Sequence, residues 1–439
     1  YLTSAAGRIY IDLTPLLRFP RIGHAVPQVL KVADALSSRA LGAVSQRPDF
    51  TKDGTRGRAH FTTLAGWLLP FWSKILARLV WLPPEGATDR LAAQIEAYVT
   101  ATRTRLATAP AGLPRLRVAV QLTNEIFPKH VMKMPSYLAA GMASKFLLAR
   151  LMRHAQPPQQ VTADIEAIGR GLVGNVTTEM DLAVGDLADA ARQSPALVRH
   201  LRELEAKQAL ATAHTIPGSA PFLAAWQEFM RKYGMRGPSE IDISRPVWAD
   251  EPGSLLQVVI ANLQHTEPGA HRTKHAQLAA ARAAAAQRLE QAARFGPFGA
   301  LRARVVRRLA RVARNLIPVR EHPKYMMIQL RGLVRATILE CAAILHQQGR
   351  IAEVNDVWFL HWPELTAALQ NSTTDLRPLI QTRQQEHLRA WQTVPPRVIT
   401  SVPAWWRSSN IPISVRAWRP SSVVTSERDM LRAEKMALE

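Results

Sequence analysis

The sequence predicts a mostly α-helical protein, organised as a large irregular helical domain with a few short strands. Apolar residues recur with the helical period over most of the chain, and strand-like alternation is confined to short segments. With 47% hydrophobic and 21% charged residues, the composition is typical of a folded globular protein. A length of 439 residues exceeds the usual size of one core, so one very large domain or two lobes is expected.

The first half of the chain opens with residues 8–13, whose alternating pattern predicts a short strand. The most apolar window is 62–81, but Pro70, Lys74 and Arg78 interrupt it. A buried or amphipathic helix is therefore favoured there over a membrane span. The segments with helical periodicity in this half are 29–44, 62–81, 88–107, 137–154 and 220–232.

The second half is richer in strong helix formers. Gly296 and Pro297 should separate a helix at 275–294 from an arginine-rich helix at 300–319 that carries no acid. Residues 356–360 are compatible with a strand or a buried turn. Further helices are predicted at 254–265, 324–348, 362–369 and 375–393.

The composition changes after the last predicted helix. We therefore assign residues 1–398 to the helical domain and 399–439 to an aberrant remnant of a linker and a following domain. Residues 402–421 contain Trp and Arg but have no helical period. A shifted reading frame or a truncated gene would explain this segment.

The net charge of +22 suggests an anionic partner, although a general bias towards arginine explains it as well. The arginines at 300–319 point all round the predicted helix and have no aromatic residues between them, which disfavours nucleic-acid binding. Cys341 is the single cysteine, so no internal disulfide can form. Its apolar surroundings predict a buried thiol, and this fits a cytoplasmic location.

The 233–252 loop is the first of three candidate sites. Its sequence, YGMRGPSEIDISRPVWADEP, places glycine and proline among charged residues, which predicts a shaped loop between helices. Arg236 could bind a carboxylate or phosphate, and Glu240 and Asp242 could position a hydroxyl. Mutual neutralisation of these charges within a structural turn explains the same residues.

The second candidate is the segment REHPK at 320–324. Pro323 suits the first turn of a helix, so Arg320 and Lys324 would flank Glu321 near a helix N-terminus. Such a segment could bind an anion and present Glu321 as a base, or it could be an ordinary cap with a surface ion pair.

The third candidate begins at Asn175, where an amide precedes two threonines and Glu179. Helix capping alone accounts for this pattern. The sequence contains no HExxH motif, no cysteine pair and no glycine-rich nucleotide loop, so no metal or nucleotide site is predicted.

Five segments, occurring in order over roughly residues 1–400, together resemble the phosphoenolpyruvate synthase-like phosphotransferases, particularly the rifampicin phosphotransferase branch. The segments are GRIYIDLTPLLRFPR (7–21), GLVGNVTTEMDLAVGDLADAAR (171–192), the 233–252 loop, REHPKYMMIQLRGLVR (320–335) and GRIAEVNDVWFLHWPEL (349–365).

The resemblance implies an enzyme with an ATP-grasp nucleotide domain, a helical substrate domain and a swivelling phosphohistidine domain. This chain is similar to the substrate domain alone. It is therefore expected to bind no cofactor itself, to rely on ATP and Mg²⁺ bound elsewhere in the full-length enzyme, and to be inactive without the other two domains. The implied partners are those domains and a small hydroxyl-bearing substrate, with no membrane association.

By the same resemblance, Arg320 and Lys324 would contact the incoming phosphate, and Glu321 would orient or deprotonate the acceptor hydroxyl. Arg236, Glu240, Asp242 and Asn175 would bind substrate. Many relatives carry His where this chain has Met235, a departure that puts full activity in question.

A rifamycin-like macrocycle is the favoured substrate, because a wide helical domain can enclose a bulky apolar ligand. The alternatives are a phosphoenolpyruvate synthase fragment acting on pyruvate and a non-catalytic basic helical module.

Overall fold

The computed structural model describes residues 2–5, 8–13, 26–27, 35–45, 57–370, 374–392, 398–400 and 415–417. Most of these residues are α-helical, which confirms the predicted fold class. The chain separates into two compact units, one formed by Pro70–Asp375 and the other by Tyr1–Leu69 with Leu376–Glu439. The division predicted at residues 398 and 399 stays a prediction.

The described residues form a series of helices and strands. In chain order they are β1 (Leu2–Ala5), β2 (Arg8–Ile11), α1 (Ala35–Ser45), α2 (Gly57–Val80), α3 (Ala87–Thr108), α4 (Leu113–Lys129), α5 (Pro135–Met152), α6 (Pro158–Ile168), α7 (Val176–Arg192), α8 (Pro195–Glu203), α9 (Ala206–Thr212), α10 (Ala220–Tyr233), α11 (Gly253–His265), α12 (Ala270–Ala292), α13 (Gly299–Leu316), α14 (His322–Gln347), α15 (Trp362–Gln370), α16 (Arg377–Gln392), β3 (Val398–Thr400) and β4 (Val415–Ala417). Short 3₁₀ helices lie at Val131–Lys133, Ala213–Thr215, Ile317–Glu321 and Val354–Phe359.

The smaller unit contains the described strands. β1 and β2 are antiparallel, with Thr3 opposite Tyr10, so the strand predicted at residues 8–13 is confirmed over Arg8–Ile11. β3 and β4 pair in parallel, with Ile399 opposite Arg416. The remaining residues of the 402–421 segment lie outside the described residues.

Two large buried clusters lie within the larger unit. One joins α7, α8, α10 and α11, and the other joins α5, α6, α12 and α13. Full burial of each Leu or Phe stabilises a fold by roughly 1.5–3 kcal/mol, so these clusters hold the helix ends in place. Representative side chains that are at most 1% exposed are Leu187, Leu201, Phe222 and Val259 in the first cluster, and Leu148, Leu289 and Val306 in the second.

Several element predictions can be compared directly with the larger unit. The segment at 356–360 forms a 3₁₀ helix, Val354–Phe359, so the turn alternative is right and the strand alternative is wrong. Cys341 is buried, as predicted. The helix predicted within 62–81 is present as α2, and the search of the described residues finds no helix long and apolar enough to cross a membrane.

Candidate functional site

The 233–252 loop is present between two helices, as predicted. α10 ends at Tyr233 and α11 begins at Gly253, and both helices belong to the same buried cluster. The loop also closes on itself through its backbone. The Trp248 N–H donates to the Arg236 carbonyl at 2.8 Å, and the Ala249 N–H donates to the Gly234 carbonyl at 2.9 Å. The loop is therefore an ordered element with a fixed base.

Arg236 and Glu240 form a buried ion pair within the loop. They are 6% and 7% exposed, respectively. Arg236 donates from Nε to Glu240 Oε2 at 2.9 Å and from Nη2 to Oε1 at 3.0 Å, which is the two-point geometry that favours an arginine–carboxylate pair. The Lys324 ammonium lies 2.6 Å from the same Oε1 atom. The Glu240 carboxylate thus joins the loop to the first turn of α14.

The pKa of Glu240 reflects two opposing effects. Burial alone would raise this pKa, because a charged carboxylate loses its hydration inside the protein. Hydrogen bonds and charge attraction from Arg236 and Lys324 outweigh burial and leave the pKa below its ordinary value of 4.5. Glu240 is therefore a stable anion with both oxygens engaged.

The start of α14 has a more open arrangement. α14 begins at His322 with Pro323 in its first turn, as predicted. Arg320 donates from Nε to Glu321 Oε1 at 2.9 Å, and its side chain is 69% exposed, whereas that of Glu321 is 21% exposed. Lys324 is 44% exposed. The side chains of Arg320, Lys324 and Glu321 are therefore accessible to a molecule that binds from solution.

His322, the middle residue of the same segment, lies in the protein interior. It is 1% exposed, and burial lowers its pKa although backbone groups of Pro318 and Thr88 act in the opposite direction. The imidazole lies among residues that connect α14 to the first turn of α3. His322 therefore supports the position of the α14 N-terminus and is not one of its solvent-facing groups.

Asn175 caps α7 and also contacts the segment before α14. Its Oδ1 accepts from the Thr178 N–H at 3.1 Å, which confirms the predicted helix start. Its Nδ2 donates to the Pro318 carbonyl at 3.1 Å. Asn175 is 8% exposed. Its buried amide group connects the N-terminus of α7 with the segment before α14. A contact between Asn175 and substrate stays a prediction.

Asp242 lies in the same loop but faces away from this group. Its side chain is 55% exposed, accepts from Ser244, and lies 3.7 Å from the Arg245 guanidinium. The contact with α14 comes from its backbone carbonyl, which accepts from Arg331. The structure thus brings together Arg236, Glu240 and Lys324, whereas the Asp242 carboxylate does not join them.

Asp181 on α7 is a further carboxyl group near Arg236. Burial raises its pKa, and the positive charge of Arg236 partly opposes that rise. The residue as a whole is exposed, so the burial that acts on its carboxyl group is partial. Asp181 lies six residues after the Asn175 cap, and no local pattern distinguishes it from its neighbours.

The residues of α14 that dock the loop were not among those predicted from the sequence. Arg335 donates to the Ile243 carbonyl at 2.6 Å and to Asp250 Oδ2 at 3.1 Å, and Arg331 donates to the Asp242 carbonyl. Met235 packs directly on Gly332, where an added Cβ would lie 2.2 Å from the Met235 sulfur. A usable signal was present, because positions 324, 331 and 335 fall on one helical face.

The described residues offer no metal centre: they contain no group of three or more His, Cys, Asp or Glu side chains that could hold a metal ion. The side chains at the start of α14 are two cations, Arg320 and Lys324, and one carboxylate, Glu321. Such an arrangement can bind an anionic oxygen and can hold or accept a proton.

Comparisons with known proteins identify similar sequences. Residues 132–321 match the sequence profile of the rifampicin phosphotransferase fourth domain. This range includes the 233–252 loop and Glu321, but ends before Lys324.

Three of the curated relatives are named rifampicin phosphotransferase. The protein from Streptomyces sviceus is 28% identical over 97% of this chain and 48% of its own length. The Bacillus subtilis protein is 28% identical over 58% of this chain and 30% of its own length. A protein from a Streptomyces species is 32% identical over 52% of this chain and 26% of its own length.

The chain spans about half the length of the Streptomyces sviceus protein. The matches confirm the resemblance that the five segments predicted: the chain is similar to rifampicin phosphotransferases, and residues 132–321 match the fourth domain of that family.

Proposed function

We propose that this chain is the substrate-binding part of an ATP-dependent, dikinase-type phosphotransferase. In this proposal a phosphoryl group moves from a phosphohistidine to a hydroxyl of an organic substrate, and a rifamycin-like antibiotic is the favoured acceptor. Antibiotic resistance would be the consequence of that reaction. The chain alone is not expected to transfer phosphate, because the phosphohistidine would be supplied by another domain.

The observation that carries the proposal is the ion pair between Lys324 and Glu240. It joins the two charged motifs that the sequence singled out separately, the 233–252 loop and the segment at 320–324. Because Glu240 is itself fixed by Arg236, Lys324 is held beside Arg320 and Glu321 with little freedom. Fixed cations of this kind can stabilise the charge on a transferring phosphoryl group.

The proposed roles follow from exposure and charge. Arg320 and Lys324, which are both partly exposed, would contact the oxygens of the arriving phosphoryl group. Glu321 would accept the proton of the acceptor hydroxyl while the new P–O bond forms and the P–N bond to histidine breaks. Arg236 and Glu240, which are buried and saturated with partners, would hold Lys324 in place and would not touch the substrate.

Exposed apolar side chains support a bulky acceptor. On α2, Trp72, Leu76 and Val80 are spaced by four residues and are 59%, 52% and 50% exposed. On α5, Met142 and Phe146 are 55% and 68% exposed. α5 packs closely on the 3₁₀ helix that carries Arg320. Large exposed apolar groups often mark binding surfaces for apolar partners.

The two alternatives have less support. Pyruvate is small and charged, so exposed rows of tryptophan, leucine and phenylalanine would serve no purpose in binding it. In the basic-module alternative, the arginines of α13 would bind nucleic acid. Several of them already have partners within the chain: Arg307 pairs with Glu290, Arg311 pairs with Glu85, and Arg308 donates to the carbonyls of Arg78, Leu79 and Leu82.

The nucleotide and its metal have no assigned ligands in this chain. In the proposal, ATP and Mg²⁺ would phosphorylate the histidine in a separate domain, and no residue described above is needed to hold them. A pocket beside Tyr325 has a volume of about 80 Å³ and is lined by polar and charged side chains together with aliphatic ones: Glu96, Arg103, Arg231, Gln329, Tyr325, Ile95 and Val99. It is smaller than the pockets that usually hold drug-sized ligands.

A binding titration and a transfer assay together test the proposal. Rifampicin should quench the tryptophan fluorescence of the chain in the micromolar range, whereas pyruvate should not. With a relative's nucleotide and phosphohistidine domains added, ATP should then label rifampicin with phosphate. Absence of rifampicin binding, together with salt-sensitive binding to DNA, would instead support the basic-module alternative.

A further inference from the structure

One face of α14 docks the whole 233–252 loop. Lys324, Arg331 and Arg335 are separated by seven and four residues, so their side chains leave the helix in nearly the same direction. Lys324 meets Glu240, Arg331 meets the carbonyls of Asp242 and Arg245, and Arg335 meets Ile243 and Asp250. The loop is thus attached to α14 at three positions along the helix. The first is Lys324, at the proposed phosphate site, and the other two are Arg331 and Arg335.

Arg335 is the innermost of these anchors. It is 6% exposed, and its guanidinium also lies 4.9 Å from the centre of the Trp358 ring. It binds the Ile243 carbonyl at 2.6 Å and the Asp250 carboxylate at 3.1 Å. Because Ile243 and Asp250 are seven residues apart in the loop, one guanidinium fixes two separate parts of it.

Arg331 holds the residues between this anchor and the ion pair of Glu240. Its Nη2 donates to the Asp242 carbonyl and, at 3.2 Å, to the Arg245 carbonyl. The remaining nitrogens, Nε and Nη1, are enclosed and have no hydrogen-bond partner among the described residues. The described hydrogen bonds of the Arg331 guanidinium therefore all go to the loop backbone, and the first of them is to Asp242, two residues after Glu240.

We propose that Arg331 and Arg335 are positioning residues that set the place of the Lys324 ammonium through the loop and Glu240. The loop backbone transmits the constraint, because Asp242 and Ile243 follow Glu240 by only two and three residues. Loss of either arginine frees this part of the loop, and the Glu240 carboxylate then no longer stays at one place beside Lys324. The kinetic consequence of this inference rests on the proposed function, whereas the constraint on Lys324 does not.

Chemical labelling of lysines tests the constraint without any need for activity. Trace acetic anhydride acylates the lysine nitrogen, so a lysine whose nitrogen is held against a carboxylate, as Lys324 is held against Glu240, is labelled slowly. In Arg335→Met and in Arg331→Met, labelling of Lys324 should accelerate by about fivefold, the effect of losing an ion pair of moderate strength. Lys207 and Lys274, which are both exposed, serve as internal references that should not change.

Controls separate this effect from a general loss of structure. Arg304→Met removes an exposed arginine of α13 and should leave Lys324 labelling unchanged. Glu240→Gln removes the direct partner and should give an acceleration at least as large as that of the two arginine variants. If Arg335→Met does not fold, Arg331→Met provides the measurement, because Arg331 is only half-buried. Unchanged labelling of Lys324 in a folded arginine variant would overturn the inference.

Steady-state kinetics provide the second readout. In the complete enzyme, Arg331→Met should lower kcat by roughly tenfold with little change in the KM for the acceptor, because misplaced transition-state contacts reduce kcat. A raised KM with an unchanged kcat would assign Arg331 to substrate binding and overturn its positioning role. If the wild-type protein transfers no phosphate at all, the proposed function fails, and the labelling result still decides whether these arginines constrain Lys324.

Discussion

The 233–252 loop and the start of α14 carry similar charged residues but use them differently. In the loop, Arg236 and Glu240 are both under 10% exposed and make a two-point ion pair. At the start of α14, the pair formed by Arg320 and Glu321 has a single hydrogen bond, and the arginine is 69% exposed. Lys324 belongs to both regions, because it lies on α14 and pairs with the loop.

This difference indicates a structural role for the charged residues of the loop and a reactive role for those at the start of α14. A buried ion pair is costly to break, since removal of one partner leaves an uncompensated charge in the interior. An exposed pair contributes little to stability and can exchange its partner for a ligand. We therefore expect mutations in the loop to affect mainly stability, and mutations at the start of α14 to affect mainly transfer.

The largest expected effect on stability is that of Glu240→Gln. This change removes the charge between Arg236 and Lys324 and should lower the free energy of unfolding by about 3 kcal/mol. Urea denaturation measures the effect. Asp242→Asn is the matched control, because Asp242 lies in the same loop with a 55% exposed side chain and should change stability by less than about 0.5 kcal/mol. Equal effects of the two variants would remove the distinction between buried and exposed loop carboxylates.

The pH dependence of stability sharpens the same comparison. The pKa of Glu240 in the folded protein is below its ordinary value of 4.5, so the pair stabilises the fold fully above pH 4.5. This stabilisation is lost as the pH falls through the lowered pKa. The difference in unfolding free energy between the wild type and Glu240→Gln should therefore be constant near neutral pH and shrink below pH 4.5. A constant difference down to pH 3 would contradict this account.

A smaller effect is expected where α7 meets the segment before α14. Asn175→Ala removes the cap of α7 and the hydrogen bond to the Pro318 carbonyl, so the free energy of unfolding should fall by about 1 kcal/mol. Thermal unfolding can measure this loss. Asn175→Asp retains a capping oxygen but cannot donate to Pro318, and comparison of the two variants isolates the second bond. If Asn175→Ala unfolds like the wild type, Asn175 does not join the two helix starts.

Much of the fold could be read from local sequence patterns. The 233–252 loop was predicted between helices because glycine and proline are disfavoured in helix interiors, and the start of α14 followed from Pro323 in a first turn. The capping of α7 followed from Asn175 in the same way. These features depend on residues that are close together in the chain, where short-range preferences are sufficient.

The arrangement of the site could not be read in this way. The pairing of Lys324 with Glu240 depends on how α10 and α14 pack, which no local pattern encodes. The outward direction of the Asp242 carboxylate depends on a turn involving Ser244. The docking role of Arg331 and Arg335 could have been suspected from their common helical face with Lys324, but the periodicity does not reveal what that face contacts.

The most direct test of these two roles, structural in the loop and reactive at the start of α14, is the variant Glu321→Gln. Both its stability and its phosphoryl transfer are measured. In the presence of a relative's nucleotide and phosphohistidine domains, the variant should still allow ATP to phosphorylate the histidine. Transfer to the acceptor hydroxyl should fall at least about 100-fold, as expected on loss of a general base. The free energy of unfolding should change by less than about 0.5 kcal/mol. Transfer at the wild-type rate in this variant would contradict the account.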